Sequence, residues 1–153
     1  VPLGAGLLHR NTMKFSHRTI KDIAGENVYM RRWGIELFGY KIKIHQILRP
    51  DDDRCEHDHP YWMFRIILWG GYSEEVGCDG FCHKIKVCRP GHISFCPATY
   101  RHRISKLHNG HSSWSFVIAG PETREWGFFT KSGWVPWRKF VDMAKTARTL
   151  WCK

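Results

Sequence analysis

The sequence contains no apolar run near the ~20 residues that a membrane-spanning helix needs. It also has no hydrophobic signal core near its start, no internal repeat and no low-complexity segment. Acidic residues are scarce, since 14 Asp and Glu stand against 24 Lys and Arg and leave a net charge of +10. The basic residues are scattered without a dense run, which favours a solvated surface over a nucleic-acid interface. We therefore predict a cytoplasmic protein that does not bind membranes, with nucleic acid as a disfavoured partner.

The length of 153 residues predicts one domain with a single core. Because Met13 opens a segment that resembles a natural start, we expect residues 1–12 to be an expression remnant or a disordered lead-in and residues 13–153 to be the domain. The six cysteines show no compact disulfide framework, so we expect reduced thiols. One alternative is a zinc site at Cys78, Cys82 and His83, although no second pair of ligands has the spacing of a zinc finger.

Alternating patterns predict strands, and the aromatic content, with eight Trp and nine Phe, suits a barrel lined by large rings. Tyr40–Leu48 is the most regular example. Ile42 and Ile44 share one face, while Lys41, Lys43 and His45 share the other, so we expect a half-buried strand with the lysines and His45 towards solvent. Asn109-Gly110 predicts a hairpin turn between two further strands.

Two helices are predicted near the ends of the chain. Ser16–Ala24 begins with a serine suited to cap a helix, and Gly25 follows its last residue. From residue 137 to about residue 150, apolar side chains recur at three- and four-residue spacing. This amphipathic helix is predicted to pack on the outside of the strands.

Two histidines, His57 and His59, lie one residue apart just before the apolar segment Tyr61–Trp69. If the local chain is extended, this spacing directs both imidazoles to the same side. Two neutral imidazoles on one side can bind a transition metal such as Zn, Fe, Cu or Ni. Two ligands do not complete a site, so a third must come from another part of the sequence.

A second segment, RPGHISFCPATYRHRI, covers residues 89–104 and contains a Pro-Gly turn, a short apolar strand and His102. Together the two segments resemble the two metal-binding motifs of the cupins. The second motif matches at Gly91, Pro97 and His102, and it departs at Thr99 and Lys106. The resemblance covers roughly residues 40–120. It implies an all-β, antiparallel jelly-roll barrel over about residues 28–130, with His57, His59 and His102 as metal ligands.

The first motif departs from the family where its glutamate would stand, because Met63 or Phe64 occupies that position. The resemblance then implies a three-histidine site without a protein carboxylate, like that of thiol dioxygenases and of several ring- or diketone-cleaving dioxygenases. Those enzymes use Fe(II), which is therefore favoured as the cofactor. The same ligands also suit Zn, Ni, Mn or Cu.

Two residues near the predicted ligands are candidates for substrate binding. Counting by twos from His59 places Arg65 on the ligand side, and Tyr100 precedes His102 by two residues. A buried guanidinium needs a carboxylate, so Arg65 either binds an anionic substrate or forms an ion pair with Glu125 or Asp58. Tyr100 either donates to a bound oxygen or packs as an aromatic side chain.

The favoured function is an Fe(II)-dependent dioxygenase that acts on a small molecule. One alternative is isomerase or lyase chemistry, in which the metal serves as a Lewis acid. Another is a regulatory cupin that binds a metal or small molecule without catalysis. The family hosts many chemistries, so the fold does not decide among them. The sequence leaves open whether the chain forms a homodimer.

Overall fold

The computed structural model describes residues 13–51, 55–77 and 83–146, where the chain is mostly β-strand. The elements in these ranges are β1 Lys14–Lys21, β2 Val28–Leu37, β3 Tyr40–Ile47, β4 Met63–Trp69, β5 Tyr72–Gly77, β6 His83–Cys88, β7 Ile93–Cys96, β8 His102–Leu107, β9 Ser113–Ala119, β10 Gly127–Thr130, β11 Gly133–Pro136 and α1 Trp137–Thr146. The prediction for residues 1–12 falls outside the described residues.

The strands form two main antiparallel sheets with a shared core. One sheet has six strands in the order β1-β2-β3-β9-β4-β7, and the other has three in the order β6-β5-β8. Tyr29, Ile47 and Ile67 of the first sheet belong to the same buried cluster as Tyr72 and Ile104 of the second. A hairpin of β10 and β11 completes the strands. The predicted all-β, antiparallel jelly-roll fold is therefore confirmed.

The N-terminal helix predicted over Ser16–Ala24 is wrong, because most of that segment is β1, which pairs with β2. The turn that follows explains the misleading signals. Gly25 has a φ of 77°, and the carboxylate of Asp22 accepts hydrogen bonds from the backbone N–H groups of Glu26 at 2.8 Å and Asn27 at 3.0 Å. Glycine after a polar segment ends a strand at a tight turn as well as it ends a helix.

The hairpin predicted at Asn109-Gly110 is also wrong, although the turn is present. The Oδ1 atom of Asn109 accepts hydrogen bonds from the backbone N–H groups of His111 at 3.0 Å and Ser112 at 3.1 Å. However, β8 pairs with β5, whereas β9 pairs with β3 and β4. The turn therefore carries the chain from one sheet to the other.

The two faces of β3 are reversed relative to the prediction. Lys41 and Lys43 are 9% and 8% exposed, whereas Ile42 on the opposite face is 48% exposed. Both lysine Nζ atoms lie near the ring of Tyr61, at 5.2 and 4.7 Å from its centroid. Period-two alternation identifies which side chains share a face, but it does not say which face is inward.

The C-terminal helix is present from Trp137 to Thr146, and the rest of its predicted length falls outside the described residues. Phe140 is buried and stacks on Phe128 of β10 with 4.1 Å between ring centroids, while Trp137 stacks on Trp126. The helix thus packs on the β10–β11 hairpin. Within the described ranges, no helix is long and apolar enough to cross a membrane.

The described cysteines differ in redox state. Cys88 and Cys96 are buried free thiols, as predicted. The prediction of a reduced thiol is wrong for Cys55, which is disulfide-bonded.

Candidate metal centre

Three imidazoles converge beside the start of β8. The ring centroids of His57, His59 and His102 lie 5.0–5.2 Å from one another, and their candidate ligand nitrogens all lie within 4.8 Å. The Nε2 atoms of His59 and His102 are 2.9 Å apart. The residues that the sequence identified as ligands are therefore brought together in space.

Backbone hydrogen bonds hold these histidines without a regular strand around His57 and His59. His57 and His102 exchange N–H···O bonds of 2.9 and 3.0 Å, and the N–H of His59 donates to the carbonyl of Ala98 at 3.0 Å. The N–H of Asp58, between them, donates instead to the carbonyl of Gly127 at 3.1 Å. Successive residues therefore bond to neighbours on opposite sides, so the predicted alternation of side chains is kept. The expected regular strand is reduced to two isolated bridges at His57, to His102 and to Phe128.

The donor set fits a divalent transition metal. Nitrogen ligands lie at about 2.0–2.1 Å from a bound zinc ion, so nitrogens that share one ion must lie within about 4.2 Å of each other. The Nε2 atoms of His59 and His102, 2.9 Å apart, meet this requirement. Burial, followed by the charges of the neighbouring imidazoles, lowers the pKa of His59 well below its usual value. The neutral ring that metal binding requires is therefore the stable form near neutral pH.

A buried carboxylate lies behind one of the histidines. Glu74 of β5 is fully buried, and its Oε2 is 2.8 Å from Nδ1 of His102. If Nδ1 donates this hydrogen bond, Nε2 of His102 presents its lone pair towards His59. Carboxylate–histidine pairs of this kind fix the ring orientation and tautomer of metal ligands. Sequence reasoning missed this role, because the fold pairs β5 with β8 across an intervening chain of more than twenty residues.

Several further side chains lie against Glu74, among them Lys86, whose Nζ is 3.7 Å from Oε1. Arg65 forms an ion pair with its Oε1, and the hydroxyl of Tyr100 donates to the same oxygen at 2.7 Å. Burial alone would raise the pKa of Glu74. The hydrogen bonds and charges of His102 and Arg65 outweigh that effect and hold the pKa well below its usual range. The carboxylate is therefore ionised and can accept hydrogen bonds from Arg65, Tyr100 and His102.

Tyr100 thus lies beside His102, and Arg65 lies behind it, on the far side of Glu74. The alternative in which Arg65 forms an ion pair is the one found, but the named partners were wrong, because the carboxylate belongs to Glu74 rather than to Glu125 or Asp58. Asp58 instead accepts hydrogen bonds from Arg124 at 2.6 Å and from the backbone N–H of Gly127 at 2.8 Å. Substrate binding by Arg65 and Tyr100 stays a prediction.

Large apolar side chains surround the histidines. The rings of Trp126 and Phe128 lie 6.1 and 5.7 Å from that of His57. Met63, at the position of the missing glutamate, is buried in a cluster with Cys96, and neither it nor any carboxylate belongs to the histidine group in the described part of the chain. The site therefore combines three nitrogen ligands with an apolar wall.

A second group of potential ligands consists of Glu56, Glu75 and His83. Both carboxylates already have guanidinium partners: Arg101 pairs with Glu56, and Nε of Arg103 donates to Glu75 at 2.7 Å. His83 Nδ1 lies 2.6 Å from Glu56 Oε1. We interpret this group as an ion-pair network. The zinc alternative at His83 has both its cysteines outside the described residues.

A surface cavity of about 580 Å³ lies away from the histidines, between the ends of β3 and β8. Its lining includes Tyr29, Arg49 and Lys106, but none of the three candidate ligands. The cavity therefore belongs to a different part of the surface from the candidate metal centre.

Comparison with known proteins finds no match to a family model and none to a curated protein sequence. Solved structures do match. A cupin-2 domain from Rhodospirillum rubrum superposes with a TM-score of 0.56 at 11% identity, covering 78% of each chain. Hydroxypropylphosphonic acid epoxidase from S. wedmorenis superposes with a TM-score of 0.52 at 13% identity, covering 68% of this chain and 55% of that one.

A structure of Fe(II) HppE gives a TM-score of 0.51 at 13% identity, covering 76% of this chain and 60% of that one. The chain thus spans little more than half the length of these two enzyme structures. At such low identity the likeness concerns the fold alone, and it agrees with the jelly-roll sheets described above. The chain has the fold of the cupin superfamily.

Proposed function

We propose that the chain is a metal-dependent oxidoreductase of the cupin dioxygenase type, with Fe(II) held by His57, His59 and His102 and a small molecule as its substrate. The observation that carries the proposal is the convergence of three imidazoles, with the Nε2 atoms of His59 and His102 2.9 Å apart. The carboxylate of Glu74 behind His102 adds support, because it orients that ring as a ligand.

The histidine group contains no thiolate, and imidazole nitrogens suit Fe, Zn, Cu and Ni rather than Mg or Ca, so the donor set favours this class of metals as a whole. Within the class iron is favoured because one of the structurally similar proteins is Fe(II) HppE. When bound, iron would supply the redox chemistry that activates oxygen. Zn, Ni, Mn and Cu remain the alternatives.

The surrounding residues have distinct parts in this proposal. Glu74 holds the proton of His102 on Nδ1, while Arg65 and Tyr100 hold Glu74 in place. Trp126 and Phe128 pack against one side of His57. Arg65 and Tyr100 are therefore positioning residues here.

Metal content tests the assignment first. We expect protein purified without added metal to contain close to one equivalent of a transition metal by elemental analysis. His102→Ala should lose it, because one of three ligands is removed, whereas His111→Ala, at an exposed histidine, should keep it. Full metal retention in His102→Ala would refute the site.

Oxygen uptake tests the reaction. The metal-loaded protein should consume O2 with at least one member of a panel of thiols, diketones and phenolic acids, and His102→Ala should not. Full metal occupancy without oxygen uptake would instead favour the isomerase, lyase or regulatory alternatives.

A further inference from the structure

Two lysines on β3 turn into the space between the sheets instead of into solvent. Lys43 Nζ donates a hydrogen bond to the hydroxyl of Tyr61 at 2.8 Å, and it lies 4.7 Å from the centroid of that ring. Lys41 Nζ lies 5.2 Å from the same centroid. Two ammonium groups and one phenol therefore meet at a single place, which we call the lysine cluster.

The charge of Lys43 is not balanced within the described part of the chain, where no carboxylate lies within ion-pair distance of its Nζ. Lys41 has a carboxylate neighbour, because its Nζ lies 3.5 Å from Glu122, but that glutamate is largely exposed. A buried ammonium without a counter-ion is costly. Burial first, and then the charges of Arg32 and Lys41, lower the pKa of Lys43 to about 7.

The neighbouring strands increase the positive character of the cluster and make room for it. Arg32 of β2 pairs with His45 of β3. This pair lies two residues along the strands from the pair formed by Gly34 and Lys43. A Cβ atom on Gly34 would lie 3.0 Å from Cγ of Lys43, so glycine leaves space for the lysine stem. His45 Nε2 is buried without a hydrogen-bond partner in the described residues.

The lysine cluster adjoins the candidate metal centre. Tyr61 follows His59 by two residues, so their Cα atoms are at most about 7 Å apart. Tyr61 and Tyr100 pack against the same buried group, which includes Met63 and Val117. The ring of Tyr100 lies 5.1 Å from that of His102. Lys43, Val117 and Arg65 also stand in one cross-strand row of the six-stranded sheet, so the lysine cluster and the Arg65–Glu74 pair behind His102 share the inner face of that sheet.

We propose that Lys43, Lys41 and Tyr61 bind the anionic head group of the substrate, a carboxylate or phosphonate of a small organic acid, beside the metal ligands. The proposal rests on the proposed function for the identity of the neighbouring site. An oxyanion would give Lys43 the counter-charge that it lacks and would form charge-assisted hydrogen bonds. With Lys43 donating to the Tyr61 oxygen, the phenol proton is available to the same anion. This role replaces the one predicted for Arg65, whose charge Glu74 already balances.

Ligand-observed NMR titration at pH 6 with methylphosphonate and with acetate tests the proposal on the full chain. We expect saturable binding of at least one probe, and the tighter probe identifies the head group. Lys43→Met should weaken binding about 10-fold or more, and Tyr61→Phe about 3-fold, because each removes a donor to the anion. Lys84→Met, at an exposed lysine of β6, is the matched control and should bind like the wild type.

Equal binding by the wild type and Lys43→Met, or no saturable binding by the wild type, would overturn the proposal. Metal content is measured separately. Because the lysine cluster does not include His102, His102→Ala should still bind the probe within about 3-fold of the wild type even where it loses metal. Loss of metal from Lys43→Met as well would show that Lys43 supports the metal centre instead of an anion.

Discussion

Two buried positive charges in this molecule have opposite surroundings. Arg65 has an ionised carboxylate, Glu74, as its partner, and that carboxylate also accepts hydrogen bonds from Tyr100 and His102. Lys43 has only the hydroxyl of Tyr61 within hydrogen-bond distance in the described residues. Both side chains are less than one-tenth exposed.

The contrast separates two uses of a buried charge. A fully satisfied network fixes side-chain positions, because every lone pair and proton has a partner. An unbalanced charge instead lowers stability, and proteins retain such groups mainly where a function requires them. We therefore assign Arg65 to the support of the histidines and Lys43 to the recognition of a ligand.

The largest expected effect comes from breaking the paired network. Glu74→Ala should reduce the free energy of unfolding by about 3–5 kcal/mol, because it leaves the Arg65 guanidinium buried without a counter-charge. Urea unfolding at pH 7 measures the change. A loss below 1 kcal/mol would mean that the network contributes little to the fold.

The next effect concerns the metal rather than the fold. Glu74→Gln keeps the shape of the side chain but removes the charge that accepts the hydrogen bond from His102. Metal affinity should fall about 10- to 100-fold, as is typical when the partner of a histidine ligand is changed. Competition with a chromophoric chelator measures this affinity, with Glu122→Gln as a control at an exposed carboxylate. Equal affinities would mean that Glu74 does not orient the ring.

Removing the unbalanced charge of Lys43 should raise the free energy of unfolding instead of lowering it. Because the pKa of Lys43 falls to about 7 in the folded state from an ordinary value of 10.5, the unfolded chain binds more protons between these two pH values. Stability therefore rises with pH across that window, and the folded protein carries the full cost of the buried ammonium below pH 7.

Lys43→Met should then stabilise the protein by about 1–2 kcal/mol at pH 6. This gain is smaller than the pKa shift alone would give, because Tyr61 loses its hydrogen-bond partner. The gain should shrink as the pH approaches 10.5. Urea unfolding at pH 6, 8 and 10 measures it. Equal destabilisation of the variant at all three pH values would contradict the prediction that the Lys43 ammonium lowers stability.

The His57–His59 pair was predictable from local spacing, whereas His102 came from the resemblance of the second segment to a cupin motif. The His57–His59 spacing and the turn before His102 each lie within a few residues, and alternation survives even where the chain is not a regular strand. The apolar spacing from Trp137 onward predicted α1 for the same reason. These features depend on short-range geometry.

The features that sequence reasoning missed depend on the fold as a whole. Glu74 reaches His102 only because β5 pairs with β8. The inward direction of Lys43 depends on which face of the six-stranded sheet meets the other sheet, and its alternation with Ile42 is the same in either orientation. A lysine row opposite an isoleucine row normally indicates solvent, so a functional site broke the usual rule here.

The smallest expected effect lies at the rim of the lysine cluster. Glu122 is 64% exposed and lies 3.5 Å from Lys41 Nζ, so Glu122→Ala should change the free energy of unfolding by less than about 1 kcal/mol. The same change removes a negative charge that competes with an incoming anion, so methylphosphonate or acetate should bind about 2- to 3-fold more tightly at pH 6 and low salt. Urea unfolding and the NMR titration measure the two quantities on one sample.

A stability loss near that of Glu74→Ala would show that the Lys41–Glu122 pair belongs to the structural network. Weaker anion binding would show that Glu122 helps to hold the ligand. The expected combination, unchanged stability with tighter binding, distinguishes a ligand-binding charge from a structural one.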